Sequence, residues 1–270
     1  MYELVKRTNR CVPVDVEGVR FGEGFVVVAG PCAIEDEFQM ESVTRSVRAS
    51  GAGMLRGGAY KPRTSPYSFQ GLGDAGVALI EQSSHKHGIP AVVEALSEEH
   101  LPLLARSVAM LQIGARNMQN FALLRAAAKT GRPILLKRSA SATLDELLYA
   151  AEYVLVEGNT RVVLCERGVR GFDPQTRNLF DLAGALRLKE LTHLPVIVDP
   201  SHATGRRSLV TPLVAAAAAA GLDGAIVEVH PDPARSLSDA PQALGLDDFD
   251  VLMHRLAHPN APKVASLECR

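Results

Sequence analysis

The stretch PVIVDPSHATG, residues 195–205, decides how this chain is built. It opens on an unbroken apolar run, Val196-Ile197-Val198, with no alternation of polar residues. Such a run suits a strand buried on both faces, as in a parallel sheet covered by helices. Asp199, Ser201 and His202 follow at once, so the chemistry-bearing residues stand just past the run. The same pattern recurs along the chain. The other runs are FVVVAG (25–30), AGMLRG (52–57), IPAVVEA (89–95), MLQIGA (110–115), PILLKR (133–138), RVVLCER (161–167) and GAIVEVH (224–230).

With PVIVDPS (195–201) that makes eight. The segments between them have helical spacing. EDEFQMESVTRSVRASG ends in Gly51 and GDAGVALIEQSSHKHG in Gly88. SATLDELLYAAEYVLVEGN carries Ser141 and Asp145 near its start and Gly158 at its end. Eight alternating βα units predict an α/β fold of the (β/α)8 TIM-barrel type. A doubly wound open sheet is the alternative, and eight regular units with no inserted domain favour closure. The expected organisation is a single barrel domain over 1–270. Residues 1–24 form an N-terminal hairpin around Gly18 that plugs one end, 25–255 the barrel, and 256–270 a C-terminal tail.

Composition sets limits. The chain has 270 residues, a net charge of −1 and 47% hydrophobic residues, which fits a globular protein with a sizeable core. Near-neutrality gives no general reason to expect nucleic acid or an anionic membrane as partner. The N-terminus lacks the apolar core of a signal peptide. LVTPLVAAAAAAGL (209–222) is alanine-rich, holds a proline, and is too short to span a bilayer. Cys11, Cys32, Cys165 and Cys269 form no CxxC pair. These features predict a soluble cytoplasmic protein with reduced thiols.

In such a barrel the functional mouth lies at the C-terminal ends of the strands. The residues there sort into two sets. Arg56, Lys61, Arg63, Arg116, Lys137 and Arg167 are cationic. Converging on one mouth, they call for a ligand with more than one anionic group, because Arg forks match carboxylate and phosphate oxygens and Lys adds a point charge. Thr64 and Ser65 add hydroxyls beside Arg63. Cys32, His202, Glu228 and Asp239 form the second set, a mixed sulfur, nitrogen and oxygen group suited to a divalent transition metal. Glu94 and Glu228 sit inside apolar runs, where a carboxylate needs a partner. Taken singly, Cys32 suits an inert thiol, His202 a helix start, Asp239 a cap, Arg56, Arg116, Lys137 and Arg167 ion-pair members of a barrel rim, and Lys61 and Arg63 solvated charges. Their joint placement argues for a site. Asp199 reads as a group that orients a loop or a ligand. His85, His87, His193 and His230 read as structural, as do Cys11, Cys165 and Cys269.

The motifs AGPC, LRGGAYKPRTSPYSFQG, GARNMQN, LLKR, CERGVRGF, DPSHATG and EVHPDP with SLSDAPQ run in order from about residue 25 to 250. As a set they resemble 3-deoxy-D-arabino-heptulosonate 7-phosphate (DAHP) synthase, in the short β-type of the class I enzymes. The sister enzyme, 3-deoxy-D-manno-octulosonate 8-phosphate synthase, shares the barrel but typically reads KANRS where this chain reads KPRTS.

The resemblance implies metal-dependent condensation of phosphoenolpyruvate with erythrose 4-phosphate, the first step of the shikimate pathway. It assigns Arg116, Lys137 and Arg167 to the phosphate of phosphoenolpyruvate, with Ala115 beside them among the substrate-binding positions. Arg56 and Lys61 go to its carboxylate, and Arg63, Thr64 and Ser65 to the phosphate of erythrose 4-phosphate. Cys32, His202, Glu228 and Asp239 become ligands of one divalent ion (Mn, Fe, Co or Zn). Lys61 becomes the proton donor, and Glu94 a group near the attacking water. It also implies a homotetramer or dimer. Many β-type enzymes carry an extra N-terminal regulatory domain. About two dozen residues precede the first run here, which predicts no feedback inhibition by Phe, Tyr or prephenate. The alternatives are an octulosonate phosphate synthase using arabinose 5-phosphate, and a non-catalytic sensor of phosphorylated metabolites.

Overall fold

The computed structural model describes residues 2–6, 11–63 and 65–259. Eight parallel strands close on themselves: β3 (Val26–Gly30), β4 (Met54–Arg56), β5 (Ala91–Ala95), β6 (Met110–Ile113), β7 (Ile134–Lys137), β8 (Val162–Glu166), β9 (Val196–Val198) and β10 (Gly224–Glu228). Closure is made by β10 on β3, in register from Gly224 opposite Val26 to Glu228 opposite Gly30. All eight expected runs become barrel strands. This is a (β/α)8 barrel. The helices around it are α1 (Glu37–Ala49), α2 (Asp74–His87), α3 (Leu101–Ser107), α4 (Phe121–Lys129), α5 (Leu144–Val156), α6 (Leu182–Leu191), α7 (Pro200–Thr204), α8 (Arg207–Ala219) and α9 (Leu246–Ala257).

Helix ends follow local chemistry. Asp36 caps α1 by accepting the Gln39 N–H at 2.7 Å, and Gly88 ends α2 in the left-handed conformation that a residue without Cβ adopts freely. The start of α5 differs from expectation. Neither Ser141 nor Asp145 caps it. Thr143 does, because Glu146 stands three residues on and completes a reciprocal capping box. The alanine-rich stretch forms α8, and among the described residues no helix is long and apolar enough to cross a membrane.

The expected hairpin is present as β1 (Val14–Val16) and β2 (Val19–Phe21), joined by Glu17 and Gly18 with φ of 51° and 89°. Two positive φ values make the turn whose twist matches the flanking strands, and Gly at the second position tolerates it. Val14, Val16 and Phe21 are buried. They pack on Val28, Met54, Val92, Met110, Leu135, Val163, Ile197 and Ile226, which fill the barrel from within. The hairpin thus closes the end opposite the mouth. Burying Phe21 fully contributes on the order of 2–3 kcal/mol. The outer core lies between strands and helices and includes Val27, Leu55, Val93, Leu111, Leu136, Leu164, Val198 and Val227.

These two clusters fix the direction of the strand ends. Side chains alternate along a strand, so two residues past an inward apolar residue the next inward one stands nearer the mouth. Met54 inward puts Arg56 inward, Leu135 puts Lys137, Ile197 puts Asp199, Ile226 puts Glu228, and Val92 puts Glu94.

Candidate active site and metal centre

One strand, one helix and two loops bring Cys32, His202, Glu228 and Asp239 together. One donor atom from each lies within 4.8 Å of all the others. Glu228 comes from the end of β10, His202 from α7, Cys32 from the loop after β3, and Asp239 from the connection between β10 and α9. Sulfur, imidazole nitrogen and two carboxylates at this spacing fit a divalent transition metal.

Asp199 is the N-cap of α7. Its Oδ1 accepts the His202 backbone N–H at 3.0 Å, and its Oδ2 faces His202 Nδ1 at 2.8 Å. That leaves His202 Nε2 towards the cluster, 3.1 Å from Glu228 Oε1. The Glu228 carboxylate is held on both sides, by Arg56 Nη1 at 2.8 Å and by Gln242 Nε2 at 2.6 Å. Gln242 and Asp239 are joined in turn by Arg177, whose Nη1 lies 3.5 Å and 3.3 Å from them. Asp239 has φ of 55°, a conformation that only firm surroundings maintain in a residue with a side chain.

The electrostatics follow from burial and neighbours. Burial, reinforced by the Glu228 carboxylate, pushes the Cys32 thiol up to about 12 against the pull of Lys61. Burial also works against Asp239, but His202 and the Cys32 hydrogen bond bring it down to about 2. Burial opposes the charge on Asp199 too. His202 and Lys137 outweigh it and hold the carboxyl well below the usual range. Glu228 is lowered in the same way by His202 and Arg56.

The cations divide into two groups. Arg56 and Lys137 are buried and paired, with Glu228 and with Asp199 at 2.5 Å. Joint placement at one mouth calls for an anion, whereas Arg56 and Lys137 taken singly suit ion pairs of the barrel rim. These two meet carboxylates from strands that the barrel brings near. Lys61, Arg63, Arg116 and Arg167 make no ion pair with a carboxylate among the described residues. Lys61 Nζ donates to the Cys32 carbonyl at 2.9 Å and lies 3.0 Å from its sulfur. Arg63 donates to Ser238 Oγ at 2.7 Å, and Arg116 to the Pro62 carbonyl at 2.9 Å. Burial lowers the Arg167 pKa, with Arg177 and Arg116 near enough to add to the effect. Ser65 is exposed in the same loop as Arg63, and Ala115 is half-buried beside Arg116. Thr64 lies outside the described residues.

Gly57 and Gly58 carry the chain from β4 into the loop that holds Lys61 and Arg63. Neither has a positive φ. Space is what requires glycine: a Cβ on Gly58 would meet the Cys32 carbonyl at 2.4 Å and the Lys61 stem at 2.9 Å. Glu94 finds its partner in Gln112, whose Nε2 donates to Oε2 at 3.0 Å. Gln242, Arg177, Ser238 and Gln112 were not singled out from sequence. Alternation along β6 could have identified Gln112, since it stands two residues past inward-facing Met110.

The chain as a whole has similar relatives. Residues 11–258 match the DAHP synthetase I family. The chain belongs to that family. It is 46% identical over 258 residues to the phospho-2-dehydro-3-deoxyheptonate aldolase of Thermotoga maritima, covering 94% of this chain and 76% of the relative. The crystal structure of that enzyme, a DAHP synthase, superposes with a TM-score of 0.92 at 44% identity, over 95% of this chain and 76% of the other. A truncated form of the Thermotoga synthase gives 0.87 at 40% identity, over 94% of each chain. A 2-dehydro-3-deoxyphosphooctonate aldolase from Acidithiobacillus ferrooxidans is more distant, 30% identical over 87% of this chain and 89% of its own length. This chain is accordingly an enzyme of the DAHP synthase type.

Proposed function

We propose that this enzyme condenses phosphoenolpyruvate with erythrose 4-phosphate, giving DAHP and phosphate, with one divalent metal ion (Mn, Fe, Co or Zn) held by Cys32, His202, Glu228 and Asp239. The observation that carries this reading is the convergence of those four donors beside Lys61, with Arg63, Arg116 and Arg167 making no ion pair with a carboxylate among the described residues. The 25–255 barrel is the catalytic unit.

Arg116, Lys137 and Arg167, with Ala115 beside them, hold the phosphate of phosphoenolpyruvate, and Arg56 and Lys61 its carboxylate. Arg63, Thr64 and Ser65 hold the phosphate of erythrose 4-phosphate. Fixed cations offset the mutual repulsion of two phosphorylated substrates and keep them in reacting geometry. Carbon 3 of phosphoenolpyruvate then forms a bond to the aldehyde carbon, and Lys61 Nζ gives a proton to the aldehyde oxygen. A divalent ion in the four-donor site supplies Lewis-acid polarisation of a carbonyl oxygen. Carbon 2, left electron-poor, takes up water on the side of Glu94. The resulting hemiketal phosphate breaks its C–O bond and releases phosphate.

The test is phosphate release from phosphoenolpyruvate, which is expected to require both erythrose 4-phosphate and a divalent metal. Faster turnover with arabinose 5-phosphate would move the assignment to the octulosonate synthase. Release of no phosphate with either sugar would leave a binding protein. Cys32→Ala is expected to lose far more than tenfold in kcat, and a loss below about tenfold would remove Cys32 from the metal set. We further propose a cytoplasmic homo-oligomer, tetramer or dimer, which light scattering would check.

A further inference from the structure

Two of the four donors, Cys32 and Asp239, arrive on loops. Loops position side chains less well than strands unless other groups fix them. One side chain touches both loops. Glu35 follows Cys32 by three residues on a stretch that is itself anchored. The Ile34 N–H donates to the Gly58 carbonyl at 3.0 Å, and the Glu35 N–H to Gln39 Oε1 at 3.0 Å. From there Glu35 reaches across to the connection between β10 and α9. Its Oε1 accepts the Leu237 N–H at 2.8 Å and lies 3.3 Å from the Ser236 hydroxyl. Its Oε2 faces His230 Nε2 at 3.3 Å.

His230 is buried at the root of the same connection. Its Nδ1 accepts the Asp232 N–H at 3.0 Å, so the ring proton sits on Nε2 and points to Glu35. Glu35 therefore grips the connection at its root and again just ahead of Ser238 and Asp239. Ser236 continues the grip, with its hydroxyl 2.7 Å from the Ser238 carbonyl. Asp239 needs such support, since its φ is 55°.

We propose that Glu35 is a positioning residue, clamped on His230 and Leu237, that sets the spacing of Cys32 and Asp239 and thereby the metal affinity of the site. The proposal rests on the four-donor set being the metal centre. Glu35→Gln sharpens it. The amide keeps an acceptor for Leu237 but turns a donor towards His230 Nε2–H. Moving the ring proton to Nδ1 would instead oppose the Asp232 N–H, so one contact is lost with either tautomer.

The experiment titrates Co2+ into the whole protein, Glu35→Ala and Glu35→Gln, following the thiolate-to-metal absorption of Cys32, with melting curves alongside. Glu35→Ala is expected to bind Co2+ at least about tenfold more weakly, within the range for disturbed outer partners of ligands, with an altered absorption band. Glu35→Gln is expected to lose about threefold or more. If Glu35→Ala does not fold, Glu35→Gln decides the question. Affinity within twofold of the parent and an unchanged band in the folded variants would overturn the clamp, whatever the change in Tm. Absence of the band in the parent would instead overturn the metal reading, and the clamp with it.

Discussion

Asp199 holds His202 by two separate contacts, one to the backbone N–H and one to ring Nδ1, at 3.0 Å and 2.8 Å. The ring proton is thereby kept on Nδ1, and the Nε2 lone pair is left for a metal. Lys137 shares the same carboxylate oxygen, so an amide there would face two donors. Asp199→Asn keeps the cap oxygen but favours the tautomer with its proton on Nε2. The expected result is a loss of about 10- to 100-fold in Mn2+ or Co2+ affinity with α7 still formed. Competition against a chelator measures it. Affinity within threefold of the parent would mean that Asp199 does not set the tautomer.

Two glycines at the mouth separate fold from function. A Cβ on Gly30 would meet the Arg56 backbone carbonyl at 1.9 Å, and neither strand can move without opening the barrel. A Cβ on Gly114 would meet Glu94 Oε1 at the same 1.9 Å, but that atom ends a flexible side chain. Gly30→Ala is expected to misfold or to lose several kcal/mol, above the usual ~1–3 kcal/mol of overpacking. Gly114→Ala is expected to melt within about 3 °C of the parent while kcat falls about tenfold or more as Glu94 is displaced. Equal destabilisation of the two variants would show that Glu94 cannot swing aside.

The strands were legible because the runs are short, mostly apolar and recur eight times between longer segments of helical spacing, whereas the longer alanine-rich stretch became α8. The inward direction of Arg56, Glu94, Lys137 and Glu228 was legible too, by alternation from Met54, Val92, Leu135 and Ile226. What each inward residue meets was not. Arg56 pairs with Glu228 across 172 residues and Lys137 with Asp199 across 62. Periodicity reports a face and says nothing of the neighbour that closure brings to it. His230 is a further case. It reads as structural, and only the position of Glu35 shows what it braces. At α5, Ser141, Thr143 and Asp145 are all plausible boundary residues, and the Glu146 partner chooses Thr143.

Arg63 donates to Ser238 Oγ, and the Ser238 hydroxyl lies 3.3 Å from the Cys32 sulfur. Its charge has no carboxylate partner among the described residues. If it receives the phosphate of the sugar substrate, Arg63→Ala removes a charge-assisted contact from one substrate alone. KM for erythrose 4-phosphate is expected to rise at least about tenfold, the equivalent of one such bond, while KM for phosphoenolpyruvate stays within about threefold. Equal increases in both would place Arg63 in general support of the mouth.

Just outside the barrel wall, Arg138 joins two carboxylates. Nη1 lies 2.9 Å from Glu166 Oε2 and 2.8 Å from Asp181 Oδ2, and Nε donates to the Ala142 carbonyl at 2.9 Å. Glu166 Oε1 accepts the Gly168 N–H at 2.6 Å, fixing the backbone around Arg167. Burial pushes the Glu166 carboxyl up even though Arg138 pulls it down. Arg138→Met would leave Glu166 buried with no cation, and breaking such a pair costs about 3–5 kcal/mol near neutral pH. The sign with pH follows from the raised carboxyl. A group whose folded pKa exceeds its unfolded value favours folding fully below the unfolded value, and that advantage is lost as pH rises through the folded one. Without Arg138 the carboxyl is pushed further up, so the deficit of Arg138→Met is expected to shrink as pH falls from about 7 towards the unfolded value of about 4.3. Adding Glu166→Gln is expected to recover part of the deficit at neutral pH and to flatten its pH dependence. Urea denaturation of parent, single and double variants at several pH values tests this. A deficit that stays constant or grows on acidification would mean that the loss does not come from leaving a buried Glu166 carboxylate without its cation.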